Sequence, residues 1–280
     1  MANDAMRTYW NEVSGPEWVR LEDEFERALA PIATELLRRI APTAGEHVLD
    51  VGCGLGTTTL PLARAVGPAG RVMGLDLSRP MLARARQRAE QEGLANIIWR
   101  EADAQDATLP GGHFDAVVSR LGVMFFDDPA AAFANLAAAT KAGGRLCFAC
   151  WQPAVHNDWY TLPSRILEAH VVLPPTPPSA AGPFAFGDPD RLRDLLCGAG
   201  FEEPTVDPLE FPMVQGGSRG LDGALDHMVR GPIAEALRSA PAAARQTGLD
   251  ALRAAVAAHL HDGEVRFPAA AWIVGARRPS

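Results

Sequence analysis

Between His47 and Ala63 the chain reads HVLDVGCGLGTTTLPLA, with Gly52, Gly54 and Gly56 at every second position after Asp50. Glycines so spaced let a chain turn sharply at a strand end and leave no Cβ between backbone and ligand. The helix that follows offers its free N–H groups to the same ligand. A dinucleotide site calls for G-x-G-x-x-G with a pyrophosphate on the helix N-terminus. The spacing here is one residue shorter, and Asp50 is poorly placed beside a pyrophosphate. An acid there suits a cation such as the ammonium of an amino acid. Asp76 closes the next apolar run, where a carboxylate can accept both hydroxyls of a ribose. Asp103, within EADAQD, can accept from an adenine amino group. Taken alone, Asp76 could equally cap a turn and Asp103 could be a solvated loop acid.

These residues need elements to hold them. From residue 46 strands and helices alternate: strands HVLDVG, RVMGLDL, NIIWRE, FDAVVSR and RLCFACW, with helices between. The first crossover helix starts near Thr58, with Pro61 in its first turn. The next opens on Ser78 as N-cap with Pro80 in its first turn, buries Met81, Leu82, Ala85 and Ala89, and stops at Gly93. An alanine-rich helix over 130–140 turns at Gly143-Gly144 into the fifth strand. The alternation predicts right-handed crossovers and a doubly wound, mostly parallel α/β sheet. Before it, residues 16–40 carry apolar residues at three- and four-residue steps and predict a helix kinked or divided at Pro31. After Trp151 the rhythm breaks. VVLPPTPPSAAGPFAFGDP reads as a linker or a flap. Asp188 then caps a helix, EEPTVDPLEF gives a sixth strand, 218–260 is helical, and AAAWIVGARR is the last strand. The expected organisation is an N-terminal helical lid (1–44), a ligand-binding core (45–151), a Pro-rich insertion (152–187), and the rest of the core (188–280) with a helical insertion over 218–260. The inserted helices would form a partial cap.

An ammonium, a ribose and an adenine together suggest S-adenosylmethionine (SAM), not ATP or NAD. The chain resembles the class I SAM-dependent methyltransferases of quinone and small-metabolite biosynthesis. The resemblance rests on VLDVGCGLGTTT (48–59), GLDLS (74–78), EADAQD (101–106), FDAVVSRLGVMFFDDP (114–129) and KAGGRL (141–146), in family order over residues 45–151. It implies a seven-stranded sheet whose last strand runs antiparallel between the fifth and sixth. It implies Gly52, Gly54 and neighbouring backbone, with Gly56 completing the turn, under the methionine moiety, and Asp50 on its ammonium directly or through water. Asp76 would take the ribose, Leu77 and Met81 would sandwich the adenine, and Asp103 with the Ala104 backbone would read its edge. Backbone near Ser119 and Arg120 would touch the methionine end. Ala142 departs from the proline common before Gly-Gly in the family, at a turn remote from the ligand.

A sulfonium methyl is already activated, so in-line alignment carries most of the chemistry. A base is needed only where the acceptor must lose a proton. His47 and His113 precede strands and fall on the wrong edge of the sheet. His156 and Asp158 follow the fifth strand on the correct edge and are the candidate bases, while His170 and His227 lie in the inserted regions and could roof the site. Trp10, Met124, Phe125 and Trp151 are candidate acceptor contacts. Phe125 and Phe126 could as well be core, and Tyr9, Trp10, Trp18 and Trp159 could pack or form a lid. If these aromatics face the site, the acceptor is flat or apolar.

The whole chain has 280 residues, 48% hydrophobic and 21% charged, with a formal net charge of −8. An acidic surface gives no general pull toward nucleic acid or anionic lipid. No apolar run reaches membrane-spanning length, and the N-terminus lacks a signal-peptide pattern. A cytoplasmic protein with a small-molecule acceptor, no nucleic-acid partner and no membrane insertion is expected; the pattern leaves the oligomeric state open. No metal is expected: Cys147 and Cys150 read C-x-x-C inside a strand pattern with no second ligand pair, as packed thiols would. The alternatives are a protein or RNA methyltransferase, which would need a basic rim and for which no NPPY-like tetrapeptide follows the fourth strand, and a protein that binds SAM or S-adenosylhomocysteine (SAH) without transfer.

Overall fold

The computed structural model describes residues 3–174 and 181–280. The chain begins with α1 (Asp4–Thr8), a π-helical turn (Tyr9–Val13), α2 (Ser14–Arg20) and α3 (Glu22–Ile40). The crossover region follows as β1 (His47–Val51), α4 (Thr59–Val66), β2 (Arg71–Asp76), α5 (Arg79–Gln91), β3 (Ile97–Glu101), β4 (Phe114–Arg120), α6 (Pro129–Ala139) and β5 (Thr140–Trp151). Then come α7 (Asp158–Leu167), α8 (Pro189–Gly198), β6 (Glu202–Gln215), α9 (Gly220–Met228), α10 (Gly231–Ser239), α11 (Ala242–Ala257), β7 (Leu260–His261) and β8 (Glu264–Arg277).

The sheet order is β3-β2-β1-β4-β5-β8-β6, with the two-residue β7 paired to β8. The first five strands pair in parallel, and β8 runs antiparallel between β5 and β6. This is the arrangement the resemblance implies, with β7 as an eighth, short strand. The central parallel strands β1 and β4 are apolar at their middles because helices cover both faces; Val48, Leu49, Val117 and Val118 are fully buried. Ser78 caps α5 and Asp128 caps α6, each with proline in the first turn.

Two expectations change. The N-terminal helix divides at Leu21, and α3 runs on through Pro31. Its apolar stripe of Leu29, Ile32, Ala33, Leu36 and Ile40 is buried along one face, which holds the helix across the missing donor. β6 and β8 are longer than their patterns suggest and stay paired from Glu202↔Arg277 to Gln215↔Val265. Pro208 and Pro212 are tolerated because β6 is the sheet's edge. The extra length carries Val265 and Phe267 into a second core with Leu162 and Leu167 of α7, Ala224 and Met228 of α9, Leu237 of α10, and Leu252 and Val256 of α11. The inserted helices therefore have a core of their own at the end of the β6–β8 pair. Residues 158–167, within the expected Pro-rich insertion, are α7 and belong to it. Of the expected flap, residues 175–180 lie outside the described residues. Among the described residues no helix is long and apolar enough to cross a membrane. Cys147 and Cys150 are buried free thiols, and burial pushes Cys147 up to about 12.

Candidate active site

At the carboxyl ends of β1, β2 and β4 lies a cavity of about 450 Å³. An open-sheet fold places its ligand at this switch point, where crossovers leave in opposite directions. The cavity wall contains Gly52, Gly54, Asp76, Leu77, Met81, Asp103 and Ala104 at one end. Trp10, Arg120, Met124, Phe125 and Trp151 line it as well. All of these were expected from the sequence.

The turn after β1 is tight. Gly52 has φ +64°, and a Cβ there would lie 2.7 Å from the Cα of Gly122. Leu121, just before Gly122, is itself left-handed at φ 66°, a strain of the kind stored at functional sites. The contact between these two turns brings the ends of β1 and β4 together. Ser119 fastens the same junction: its hydroxyl donates to Val51 O at 2.7 Å and accepts from Gly122 N at 3.2 Å. Ser119 is fully buried behind the wall rather than on it. Gly56 is also off the wall; a Cβ there would meet Leu60 Cδ1 at 2.5 Å, so this glycine serves packing against α4.

Asp76 accepts from Gly54 N at 2.7 Å through Oδ2 and from Ser78 N at 2.8 Å through Oδ1. Each oxygen keeps a lone pair for a further donor. Burial raises its pKa, against the pull of these backbone N–H groups. Asp50 lies behind the turn, fully buried and off the cavity wall. Its Oδ2 accepts from Thr58 and Thr59 hydroxyls, both at 2.6 Å, while Oδ1 has no partner. Burial lifts its carboxyl to about 6. Arg120, at the end of β4, places Nη2 3.1 Å from Glu26 Oε1 and leaves Nη1 buried without a partner. Thr57 Oγ1 also donates to Glu26 Oε1.

The N-terminal segment roofs the cavity through Asn3, Met6, Tyr9, Trp10, Ser14 and Trp18. Asn3 Nδ2 donates to Asp103 Oδ2 at 2.9 Å. Asn11 Nδ2 donates to Leu77 O at 2.9 Å, and Asn11 Oδ1 accepts from Arg79 N at 3.0 Å. The Ser78 hydroxyl donates to Trp10 O at 2.8 Å. Trp10 meets Phe125 edge-on at 5.0 Å, and Trp18 stacks on Phe25 at 4.2 Å. Across the cavity Trp151 and Trp159 lie 5.0 Å apart. With Met213, these rings form an apolar chamber beside the acidic end.

The candidate bases do not reach the cavity. His156 is exposed, and Asp158 is turned toward Arg165 at 3.5 Å and Thr161 at 3.4 Å. His156 ends a short turn (Ala154–His156) after β5 and Asp158 opens α7; of this stretch it is the next residue, Trp159, that lines the cavity. His47 and His113 pair at 3.1 Å on the opposite edge. His227 does line the cavity; burial, with Arg230 nearby, lowers it to about 4. A second, open cavity of about 1120 Å³ between α7 and α10 shares Trp159 and His227 with the first and is lined by His170. Sequence reasoning missed Asn3, Asn11, Glu26, Phe25 and Gln215. Local spacing carries no signal for them, because each reaches the site through long-range packing. The Leu121-Gly122 step carries a local signal, a glycine two residues after the end of β4.

Comparison with known proteins agrees with this geometry. Residues 48–144 match the family model described as "Methyltransferase domain". Nocamycin O-methyltransferase of Saccharothrix syringae is 32% identical over 182 residues, 62% of this chain and 65% of that protein. Aklanonic acid methyltransferase DauC of Streptomyces sp. (strain C5) is 36% identical over 135 residues, 48% of this chain and 60% of that one. The chain thus spans less than two thirds of the length of either relative. The crystal structure of the YcgJ protein of Bacillus subtilis superposes with a TM-score of 0.59 at 17% identity, over 89% of this chain and 98% of that one, a likeness of fold. The sheet order, the glycine turn and the acids at the ends of β2 and β3 agree with that match to a methyltransferase domain over residues 48–144.

Proposed function

We propose that this protein transfers a methyl group from SAM to a small-molecule acceptor with an apolar or aromatic body. The observation that carries the reading is that one cavity joins two unlike ends: Asp76 and Asp103 beside the glycine turn, and the chamber of Trp10, Trp18, Phe25, Trp151 and Trp159. The first suits a ribose and an adenine, the second a flat apolar molecule. The names of the two relatives, both methyltransferases of small molecules, support the same class.

The residues present fit SAM. Asp76 has an open lone pair on each oxygen for the ribose hydroxyls. Leu77 and Met81 flank the adenine position, and Asp103 with Ala104 stands at its edge. Asp50 Oδ1 and Arg120 Nη1 are buried, opposite in charge and both without partners. An α-amino acid supplies what each lacks, a donor for the carboxylate and an acceptor for the guanidinium. Because Asp50 stands behind the wall and the Thr58 hydroxyl is already donated to Oδ2, the contact to Oδ1 runs through water. SAM would supply a methyl carbon on a sulfonium, with a neutral thioether to leave. The protein's part is then alignment: the acids hold the nucleoside, Arg120 holds the amino-acid end, and the aromatic walls press the acceptor toward the methyl and keep water out.

The test is transfer of labelled methyl from SAM into a size-fractionated cell extract, with Asp76→Ala as control. Label in the small-molecule fraction, lost in the variant, is the expected result. Label only in protein or RNA moves the function to the macromolecular alternative, and SAM binding without label anywhere leaves a binding protein.

A further inference from the structure

The proposed nucleoside contacts leave Gln215 unused, yet it is built into the cavity wall. It ends β6, is 5% exposed, and its Oε1 has no hydrogen-bond partner. A buried amide oxygen without a donor is costly, and such groups are few in folded proteins. The position is forced by Gly216 (φ +82°), where a Cβ would lie 2.2 Å from Gly220 O and 2.4 Å from Ala224 N. Only glycine lets the strand end lie this close to α9. Three residues beyond Ala224, on the same helix, His227 reaches the same cavity. Its ring is edge-on to Phe25 at 5.5 Å, and its nitrogens make no hydrogen bond among the described residues. Trp18, Phe25, Trp159 and Met213 wall the same chamber.

We infer that Gln215 and His227 form a hydrogen-bonding end of the acceptor chamber, which selects an apolar ring system bearing a phenolic or enolic hydroxyl. This rests on the reading of the aromatic chamber as the acceptor's. A neutral imidazole offers one N–H donor and one acceptor nitrogen, and the Gln215 oxygen offers an acceptor. A hydroxyl answers both, since its O–H donates to Gln215 and its oxygen accepts from the imidazole N–H. An ammonium does not fit. The Glu24 carboxylate on the same wall is already 3.7 Å from Arg219, and the imidazole itself stays uncharged there. The shared border of His227 with the second cavity leaves room for a substituent beyond the hydroxyl-bearing ring.

The test uses two probes matched except for the hydroxyl, 1-naphthol and naphthalene, titrated against the tryptophan fluorescence of the full chain with and without SAH. The wild type is expected to bind 1-naphthol at least about tenfold more tightly, the usual worth of a buried polar group left unpaired when the ligand lacks its partner. Gln215→Leu and His227→Phe are each expected to cut that preference, read as the ratio of the two affinities in the same variant, below about threefold. Gln215→Leu removes an unpaired polar atom and should melt no lower than wild type, so misfolding would be visible. Equal binding of both probes, no binding of either, or a preference retained in both variants overturns the inference. SAM titrated calorimetrically into the same proteins judges the function separately. Absence of SAM binding sinks that reading, while the naphthol preference measured without SAH still decides this one.

Discussion

The two ends of the cavity are made in different ways. The nucleoside end comes from 57 contiguous residues or fewer: the turn after β1, the end of β2 and the loop after β3, all within 48–104. Its groups are backbone and short acids held by parallel strands. The acceptor end comes from residues between Trp10 and His227, brought together by α2, α3, the end of β4, α7, β6 and α9. Its groups are long side chains resting on one another. The first end tolerates little change in the backbone. The second can change its occupant by changing a ring or an amide without disturbing the sheet.

The strongest way to break this contrast is Gly52→Val. The φ of +64° and the 2.7 Å approach to Gly122 Cα leave no room, and the obstacle is backbone. SAM binding should be lost altogether and stability should fall by about 3 kcal/mol or more, read by calorimetry and thermal melting. A variant that folds and binds SAM normally would show that the turn is not the nucleoside platform. Next comes Asp76→Ala, which removes the acceptor for two ribose hydroxyls. Charge-assisted bonds contribute about 1.5–3 kcal/mol each, so SAM affinity should drop by at least about a hundredfold. Naphthalene affinity at the other end should not move.

A third prediction sets the ends against each other through pH. Burial lifts Asp50 from an ordinary 3.8 to about 6. Between those values the folded chain holds a proton that the unfolded chain has released, so this contribution is full below about pH 4 and is lost as pH rises through 6. Burial lowers His227 from an ordinary 6.5 to about 4. Its contribution is full above pH 6.5 and is lost as pH falls through 4. The two slopes oppose one another in nearly the same window, each on the order of 2–3 kcal/mol. Asp50→Asn should therefore leave the ligand-free protein gaining stability, relative to wild type, from pH 4.5 to 6.5. His227→Phe should do the reverse. Urea midpoints at pH 4.5, 5.5 and 6.5 decide it, and variants that parallel the wild type would remove both groups from consideration.

The same contrast explains what could be seen in the sequence. Strand–turn–helix units have local signatures, so β1 to β5, the caps at Ser78 and Asp188, and the positions of the acids at 76 and 103 were legible in the sequence. Asp50 shows the limit of that reading. Its position was clear, but its burial behind Thr58 and Thr59 follows from how α4 starts, which spacing does not encode. His156 and Asp158 were placed on the correct edge of the sheet, yet neither is on the wall, where Trp159 of the same stretch stands instead. Gln215 and Asn11 could not be found at all. One depends on the close approach of Gly216 to α9, the other on an N-terminal segment folding back some 66 residues away from its own position.

The smallest expected effect concerns that segment. Asn11 ties it to the start of α5 by donating to Leu77 O and accepting from Arg79 N, while Ser78 holds Trp10 O. Asn11→Ala removes its two bonds there and a third, to Arg7 O within its own segment, a net loss of about 1 kcal/mol. SAM affinity should fall about fivefold, mostly through faster dissociation, because a looser roof changes escape more than encounter. The preference for 1-naphthol should stay as in wild type, since Gln215 and His227 stand at the other end. Stopped-flow dissociation of SAM measures the first and the fluorescence titration the second. A dissociation rate equal to wild type would mean that the apolar contacts of Trp10 with Phe125 and Trp18 hold the roof without the polar tie. A loss of naphthol preference would mean that the roof couples the two ends, and the cavity would then have to be treated as one site.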